Sequence, residues 1–396
     1  MKRGRAGGAT DYTDCTDGQS SSVFPSSFGP SNPIRGIRVI RGKTFGASAT
    51  AFCAVVTALL TLPAMAAEPV QDWDITQAPE AKPAAERPTD FDEFWDAQLA
   101  VLGKVPLDPQ VEAPDPQPVA GVEYAKFSLA VNDTQRVRGQ MAWPDRPGKF
   151  PALIIYQWAG VYPLSQGTVT GNAQKGWLAV NVMAHDVPID EPEVFYEELK
   201  NGDLKEYGLI GRDDREASYF RRMYLGARRV VDYVKSLPDW DGKTLVVHGT
   251  SQGGSQALVA AALADGVTAV VVNVPALCDQ SAPAAGRGAP YPYWTAKPPG
   301  DLDPGKIAEA ANYYDVVHFA PRVKAPVLVS AGLQDKSCPP HGIAAMANVL
   351  GGDQELIFLP GANHQGDGGT HEPYLRRMRV WLDALRDGQA VPPPQS

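Results

Sequence analysis

Short, nearly unbroken apolar runs alternate along the chain with longer stretches in which apolar residues recur at helical spacing. The runs fall at 124–131, 136–143, 151–157, 178–183, 244–249, 268–274, 326–331 and 355–360. The later ones, such as TLVVHG (244–249) and PVLVSA (326–331), carry apolar residues at successive positions. A strand covered on one face alternates polar and apolar, so an unbroken run predicts a strand covered on both faces. Helical spacing appears over 216–236, 252–265, 340–350 and 371–386. An earlier helix is predicted from Thr89, with Asp92 or Glu93 in its first turn and Phe91, Phe94, Trp95, Leu99 and Leu102 repeating along it. The alternation predicts an α/β fold: a mostly parallel central sheet of about eight strands with helices on both faces. Neither an internal repeat nor a second domain interrupts it, and the catalytic domain is expected over 89–389. Two segments break the rhythm, 186–215 and 279–315, both rich in Pro, Gly, Tyr and acids. Insertions at the C-terminal ends of strands commonly build substrate sites in such folds.

The N-terminal part reads differently. Residues 1–34 are rich in Gly, Ser, Thr and Pro without apolar periodicity; they are expected to be a disordered extension or the product of a misassigned start. A basic patch (Arg35, Arg38, Arg41, Lys43) then precedes an uncharged run ending at Ala64-Met65-Ala66. Basic region, apolar region and small-x-small box in that order predict a signal peptide over 35–66 and a secreted or periplasmic protein. A retained membrane anchor is the alternative, but the run is short and Ala- and Thr-rich for a span; no stable membrane association is expected. The Pro- and Ala-rich residues 67–88 read as a linker, and 390–396 as a disordered tail.

With 36 Lys and Arg against 45 Asp and Glu, the formal net charge is -9. That balance argues against nucleic acid as a partner. Removing residues 1–66 would make the chain more acidic still. Of the four cysteines, Cys15 and Cys53 fall in the leader. Cys278 and Cys338 either pair in an oxidising compartment or stay free as small apolar groups.

The most informative stretch is TLVVHGTSQGGSQALVAAAL (244–263), a Val-rich run leading through Gly249-Thr250-Ser251-Gln252-Gly253 into an Ala- and Leu-rich helix. G-x-S-x-G between strand and helix is the nucleophile elbow of the α/β-hydrolase fold. Its glycines allow a tight turn in which backbones approach closely. Ser251 is therefore the expected nucleophile, and the Gln252 N–H, at a helix N-terminus, the first oxyanion donor. In this fold the acid follows a later strand and the histidine comes last. Asp335 follows the run at 326–331, and His364 follows the run at 355–360. Asp335 would orient the imidazole of His364, which would take the Ser251 proton and return it to the leaving alcohol. His371, beside Glu372, is the alternative catalytic histidine; otherwise it is a solvent-exposed first-turn residue. Among the others, His248 reads as buried structure, His185 as a pocket residue, and His318 and His341 as surface or supporting groups. Cys338-Pro-Pro-His341 lacks the further ligands of a metal site, and no metal or cofactor is expected. The second oxyanion donor should lie in Gln157-Trp158-Ala159-Gly160-Val161-Tyr162, with the Ala159 N–H as the candidate.

At these residues the chain resembles the acetyl xylan esterase and cephalosporin C deacetylase family, the seventh carbohydrate esterase family. RPTDFDEFWDAQLAVLGKVPLDP (87–109) resembles its N-terminal helix signature, and SYFRRMYLGARRVVDYVKSLPDWDGKTLVVHGTSQGG (218–254) the approach to its G-x-S-Q-G-G elbow. VPALCD (274–279) and GLQDKSCPP (332–340) resemble the segment after the next strand and the acid loop, the latter supporting Asp335. The matches run across nearly all of the chain after the leader. Three features depart from the family. NVMAHDVPID (181–190) stands where an Arg-Gly-Gln motif is usual, although Arg138-Gly139-Gln140 occurs on an earlier strand. QWAGVY (157–162) replaces a His-Gly loop, and His364-Gln365 a His-Glu pair. The chain therefore reads as a divergent branch.

The resemblance implies a serine esterase that removes acetyl groups from a polysaccharide or oligosaccharide, with an acetylated carbohydrate or other small ester as substrate and an oligomer as a possible state. Tyr291, Tyr293, Trp294 and Arg287 are candidates to contact sugar, though packing is the simpler role for each. The competing functions are an esterase for another acyl or uronate ester and a sugar-binding protein that lost turnover; the intact Ser, Asp, His order speaks against the last.

Overall fold

Nine strands pair into one sheet in the computed structural model, which describes residues 72–112 and 119–394. The expected N-terminal extension, the expected signal peptide and the last two residues of the expected tail lie outside the described residues. The strands are β1 (Gln110–Glu112), β2 (Val122–Ala130), β3 (Arg136–Pro144), β4 (Phe150–Tyr156), β5 (Leu178–Val182), β6 (Trp240–Thr250), β7 (Ala269–Asn273), β8 (Val327–Gly332) and β9 (Gln354–Leu359). Their order is β1-β2-β3-β5-β4-β6-β7-β8-β9. The pairs from β1 to β5 are antiparallel; every pair from β5 through β9 is parallel. The expected eight runs are all strands. The ninth, β1, is a three-residue exposed edge strand, QVE, too short and polar to signal itself.

The unbroken apolar runs are explained by what covers them. Successive residues of a strand face opposite sides of the sheet. Leu245 and Val247 of β6, Val270 and Val272 of β7, and Val327 and Val329 of β8 join one core layer. Val246, Val271 and Leu328 join the other. The first layer is closed by α1 (Phe91–Leu102), α4 (Tyr219–Ser236), α5 (Gln252–Leu263) and α8 (Pro340–Asn348), through residues such as Trp95, Val230, Leu258 and Ile343. The second is closed by α2 (Gln166–Gln174) and α9 (Glu372–Arg386), through Val169, Tyr374, Met378 and Trp381. Each fully buried Val or Leu contributes about 1.5–3 kcal/mol of transfer free energy, which the two-sided cover supplies along every central strand.

Two more helices, α3 (Glu193–Asn201) and α6 (Pro304–Tyr314), lie in the two inserted segments, and the short α7 (Val316–Phe319) directly follows the second. Residues 72–88, expected as a linker, are instead packed on the domain. Trp73 stacks edge-on to His341 at 5.9 Å and sits beside Phe358. Ala78 and Ala81 lie against Ala344 and Ala345 of α8. Small residues allow that close approach, so the Ala-rich composition marks a packed strap and not free chain. Among the described residues, no helix is long and apolar enough to cross a membrane.

Candidate active site

The parallel strands bring their C-terminal ends to one edge of the sheet, and Ser251, Asp335 and His364 follow β6, β8 and β9 there. Ser251 is held at φ 54°, ψ −124°, a strained conformation for a residue with a side chain. Its surroundings over-determine it. Its N–H donates to the Asn273 carbonyl (3.0 Å), and its own carbonyl accepts from the Ala276 and Ser255 amides (3.0 and 3.1 Å). The elbow glycines are required sterically: a Cβ on Gly249 would lie 2.2 Å from Gly253 C, and one on Gly253 would lie 2.3 Å from the Tyr156 carbonyl oxygen.

The structure brings the three residues together. His364 Nδ1 lies 2.7 Å from Asp335 Oδ2, and His364 Nε2 lies 2.9 Å from Ser251 Oγ. The other Asp335 oxygen accepts the Ser337 and Cys338 amides, both at 2.8 Å. Asp335 is buried, so its carboxylate is fixed by three donors and aimed at one imidazole edge. This makes His364 Nδ1 the donor to Asp335 and leaves Nε2 as the acceptor facing Ser251.

His371 takes neither position. Its Nε2 donates to the Asn363 carbonyl (3.1 Å), and its Nδ1 faces the Asn273 side-chain amide (3.1 Å). It is buried, not solvent-exposed as its place in a first helical turn suggested, and burial pushes its pKa down. The ring thus braces the loop that carries His364 against the end of β7.

The two expected oxyanion donors come from different elements. Gln252 opens α5, and Ala159 lies half-buried in the loop after β4. Among the described residues neither amide is bonded to a protein acceptor. That loop is stapled by Gln157. Its Nε2 donates to the Tyr162 carbonyl (2.9 Å), and its Oε1 accepts the Ala184 N–H (3.0 Å). Gln256 Nε2 of α5 donates to the Gln157 carbonyl (2.9 Å), joining loop to helix.

Other candidates fall elsewhere. Trp294 is buried among Phe220 and Tyr314, with its indole N–H on the Gly208 carbonyl, so it packs the core. Arg287 pairs with buried Asp279 at 2.9 Å and faces His341. Tyr291 turns its hydroxyl toward Tyr207 and Gln252, while Tyr293 is half-buried with its ring edge-on to Tyr291. His248 Nδ1 faces the Val271 carbonyl. His318 is buried with its pKa pushed down to about 4 by desolvation. Arg138 pairs with Asp186 at 2.8 Å. Cys278 and Cys338 are free and buried, and burial raises both thiol pKa values. Sequence reasoning missed Tyr207 altogether and left His185 as a pocket residue. Both prove to be wired into the loop of Ala159.

Residues 69–378 match the family model described as acetyl xylan esterase (AXE1). The chain is 31% identical over 304 residues to the acetyl esterase Axe7A of Xylanibacter ruminicola, covering 76% of this chain and 68% of that one. Its fold matches an acetyl xylan esterase from Paenibacillus sp. R4 with a TM-score of 0.66 at 24% identity, over 78% of this chain and 99% of the other. It matches acetyl xylan esterase 1 from Thermoanaerobacterium sp. JW/SL YS485 with a TM-score of 0.66 at 23% identity, over 78% and 98%. The structural matches establish the α/β-hydrolase fold, and the family model together with the Xylanibacter relative establishes that this chain belongs to the acetyl xylan esterase (AXE1) family of serine carboxylesterases.

Proposed function

We propose that the protein is an exported deacetylase of acetylated polysaccharide or oligosaccharide, working through an acetyl-enzyme on Ser251. The observation that supports this most is the unbroken hydrogen-bond chain from Ser251 Oγ through His364 to Asp335 in a member of this family. In the first half-reaction, Ser251 Oγ attacks the acetyl carbonyl carbon as its proton passes to His364 Nε2. The tetrahedral oxyanion faces the Gln252 and Ala159 amides, which are preorganised for that charge. Collapse breaks the bond to the sugar oxygen, and the sugar hydroxyl leaves with the proton from His364. In the second, water gives a proton to His364 as its oxygen attacks the acetyl carbon, acetate departs, and the proton returns to Ser251. Asp335 keeps the imidazole in the required tautomer and stabilises the imidazolium throughout.

Acetate release from acetylated xylan, set beside other acetylated glycans and uronate methyl esters, is the test. Acetate is expected from the acetylated glycans. Turnover of the uronate esters alone would replace the deacetylase reading. Export is tested separately by N-terminal sequencing of protein recovered outside the cytoplasm. A terminus close to Ala67 is expected; a terminus at Met1 would point to a retained leader.

A further inference from the structure

The hydroxyl of Tyr207 lies where three separate parts of the chain meet. It donates to Gln252 Oε1 (2.7 Å) and accepts the Gly160 N–H (3.1 Å) and the Tyr291 hydroxyl (3.0 Å). Gln252 follows the nucleophile. Gly160 follows Ala159. Tyr207 and Tyr291 come from the two inserted segments. Tyr207 and Gln252 are buried, so these bonds are shielded from water and correspondingly directional. Gln252 Nε2 has no partner among the described residues, so Oε1 carries the anchorage of that side chain. On the other side of Gly160, His185 Nε2 lies 2.9 Å from the Gly160 carbonyl and must donate to it. Its Nδ1 therefore accepts the Tyr219 hydroxyl (2.8 Å), which in turn accepts from Arg222 (2.7 Å). His185 is neutral and its tautomer is fixed: burial pulls its pKa down to about 4. The peptide units on both sides of Gly160 are thus pinned, the amide by Tyr207 and the carbonyl by His185.

We infer that Tyr207 is a positioning residue that sets the distance between the two oxyanion donors, with His185 clamping the same loop from the far side. The inference rests on the oxyanion roles proposed above for Gln252 and Ala159. It also gives the inserted segments a task beyond substrate contact: they supply the hydroxyls that hold the oxyanion hole in shape. Through Gln252 Oε1, the hydroxyl fixes the residue whose amide is one donor. Through the Gly160 N–H, it fixes the peptide next to the other. Hydrogen bonds of this kind act on the transition state, where the oxyanion forms, more than on the neutral ester.

The test is Tyr207→Phe, assayed on p-nitrophenyl acetate with active sites titrated. Per titrated site, kcat is expected to fall about ten- to a hundred-fold, the scale of a misplaced oxyanion donor, with KM within about two-fold of wild type. The inhibition constant for phenylboronic acid, whose adduct with Ser251 is tetrahedral, should rise in parallel. An unchanged kcat per site, with loss confined to Tm or to the fraction of active protein, would overturn the inference. If Tyr207→Phe does not fold, Tyr219→Phe, which releases the His185 clamp, is expected to lower kcat per site by about three- to ten-fold, and no change there overturns it equally. A wild-type protein inert toward p-nitrophenyl acetate would refute the esterase reading itself, a separate outcome.

Discussion

Ser251→Ala is expected to leave a folded protein whose kcat on p-nitrophenyl acetate is lower by about four to six orders of magnitude, the loss seen when the nucleophile of a triad is removed. The fold should tolerate the change. The elbow is held by backbone bonds from Asn273, Ala276 and Ser255, none of which uses the serine hydroxyl. The hydroxyl itself faces His364 Nε2 at 2.9 Å. Alanine keeps the Cβ and carries the same backbone strain at positive φ. The melting temperature should stay within a few degrees of wild type, so a lost rate reports lost chemistry. Equal and negligible rates in both proteins would sink the esterase reading; equal and substantial rates would move the nucleophile elsewhere.

The two candidate histidines separate next. His364→Ala should lower kcat by about four orders of magnitude, because proton transfer from Ser251 and to the leaving group both pass through its Nε2. His371→Ala should cost far less, about ten-fold, as a loosened support for the Asn363 carbonyl. Exogenous imidazole is expected to recover part of the activity of His364→Ala and none of that of His371→Ala, since the first substitution opens a space beside the serine and the second does not. If only the His371 variant were inactive, the assignment would fall to that residue.

How much of this was legible in the sequence follows from which interactions are local. The elbow is local: G-T-S-Q-G needs its glycines because Gly253 meets the Tyr156 carbonyl, and that requirement is written in the motif. Asp335 and His364 follow strand ends, so the order of the strands predicted them. The helices α1, α4, α5, α8 and α9 carry an apolar face and announced themselves. The helix α2, QGTVTGNAQ, has two glycines and little apolar periodicity; it packs on β3 and β5, and tertiary cover of this kind overrides weak local propensity. α3 and α6 sit in segments whose Pro and Gly content read as loop. The burial of His371 was hidden because Asn273 and Asn363, its partners, are 98 and 8 residues away. Tyr207 was hidden for the same reason. A tyrosine in an acidic, Gly-rich insertion carries no pattern that separates a hydroxyl aimed at Gln252, 45 residues further on, from one aimed at solvent. Tyr291 was legible as an aromatic near the site, but not as a residue whose hydroxyl turns toward Tyr207 and the Gln252 side chain.

The strap at 72–88 bears on how the protein is best handled. Asp72 accepts the Gly361 N–H (3.0 Å), three residues before His364, and the Trp73 N–H donates to the Leu333 carbonyl (3.0 Å), two residues before Asp335. A recombinant version trimmed to begin at the first apolar helix, at Phe91, would discard the clasp under both loops. A version beginning at or before Asp72 keeps it. The same contacts put a tag or tether attached directly at Asp72 beside the histidine loop. The far end of the chain, where Arg377 holds the Pro392 and Pro393 carbonyls, is the better point of attachment for immobilising an active enzyme.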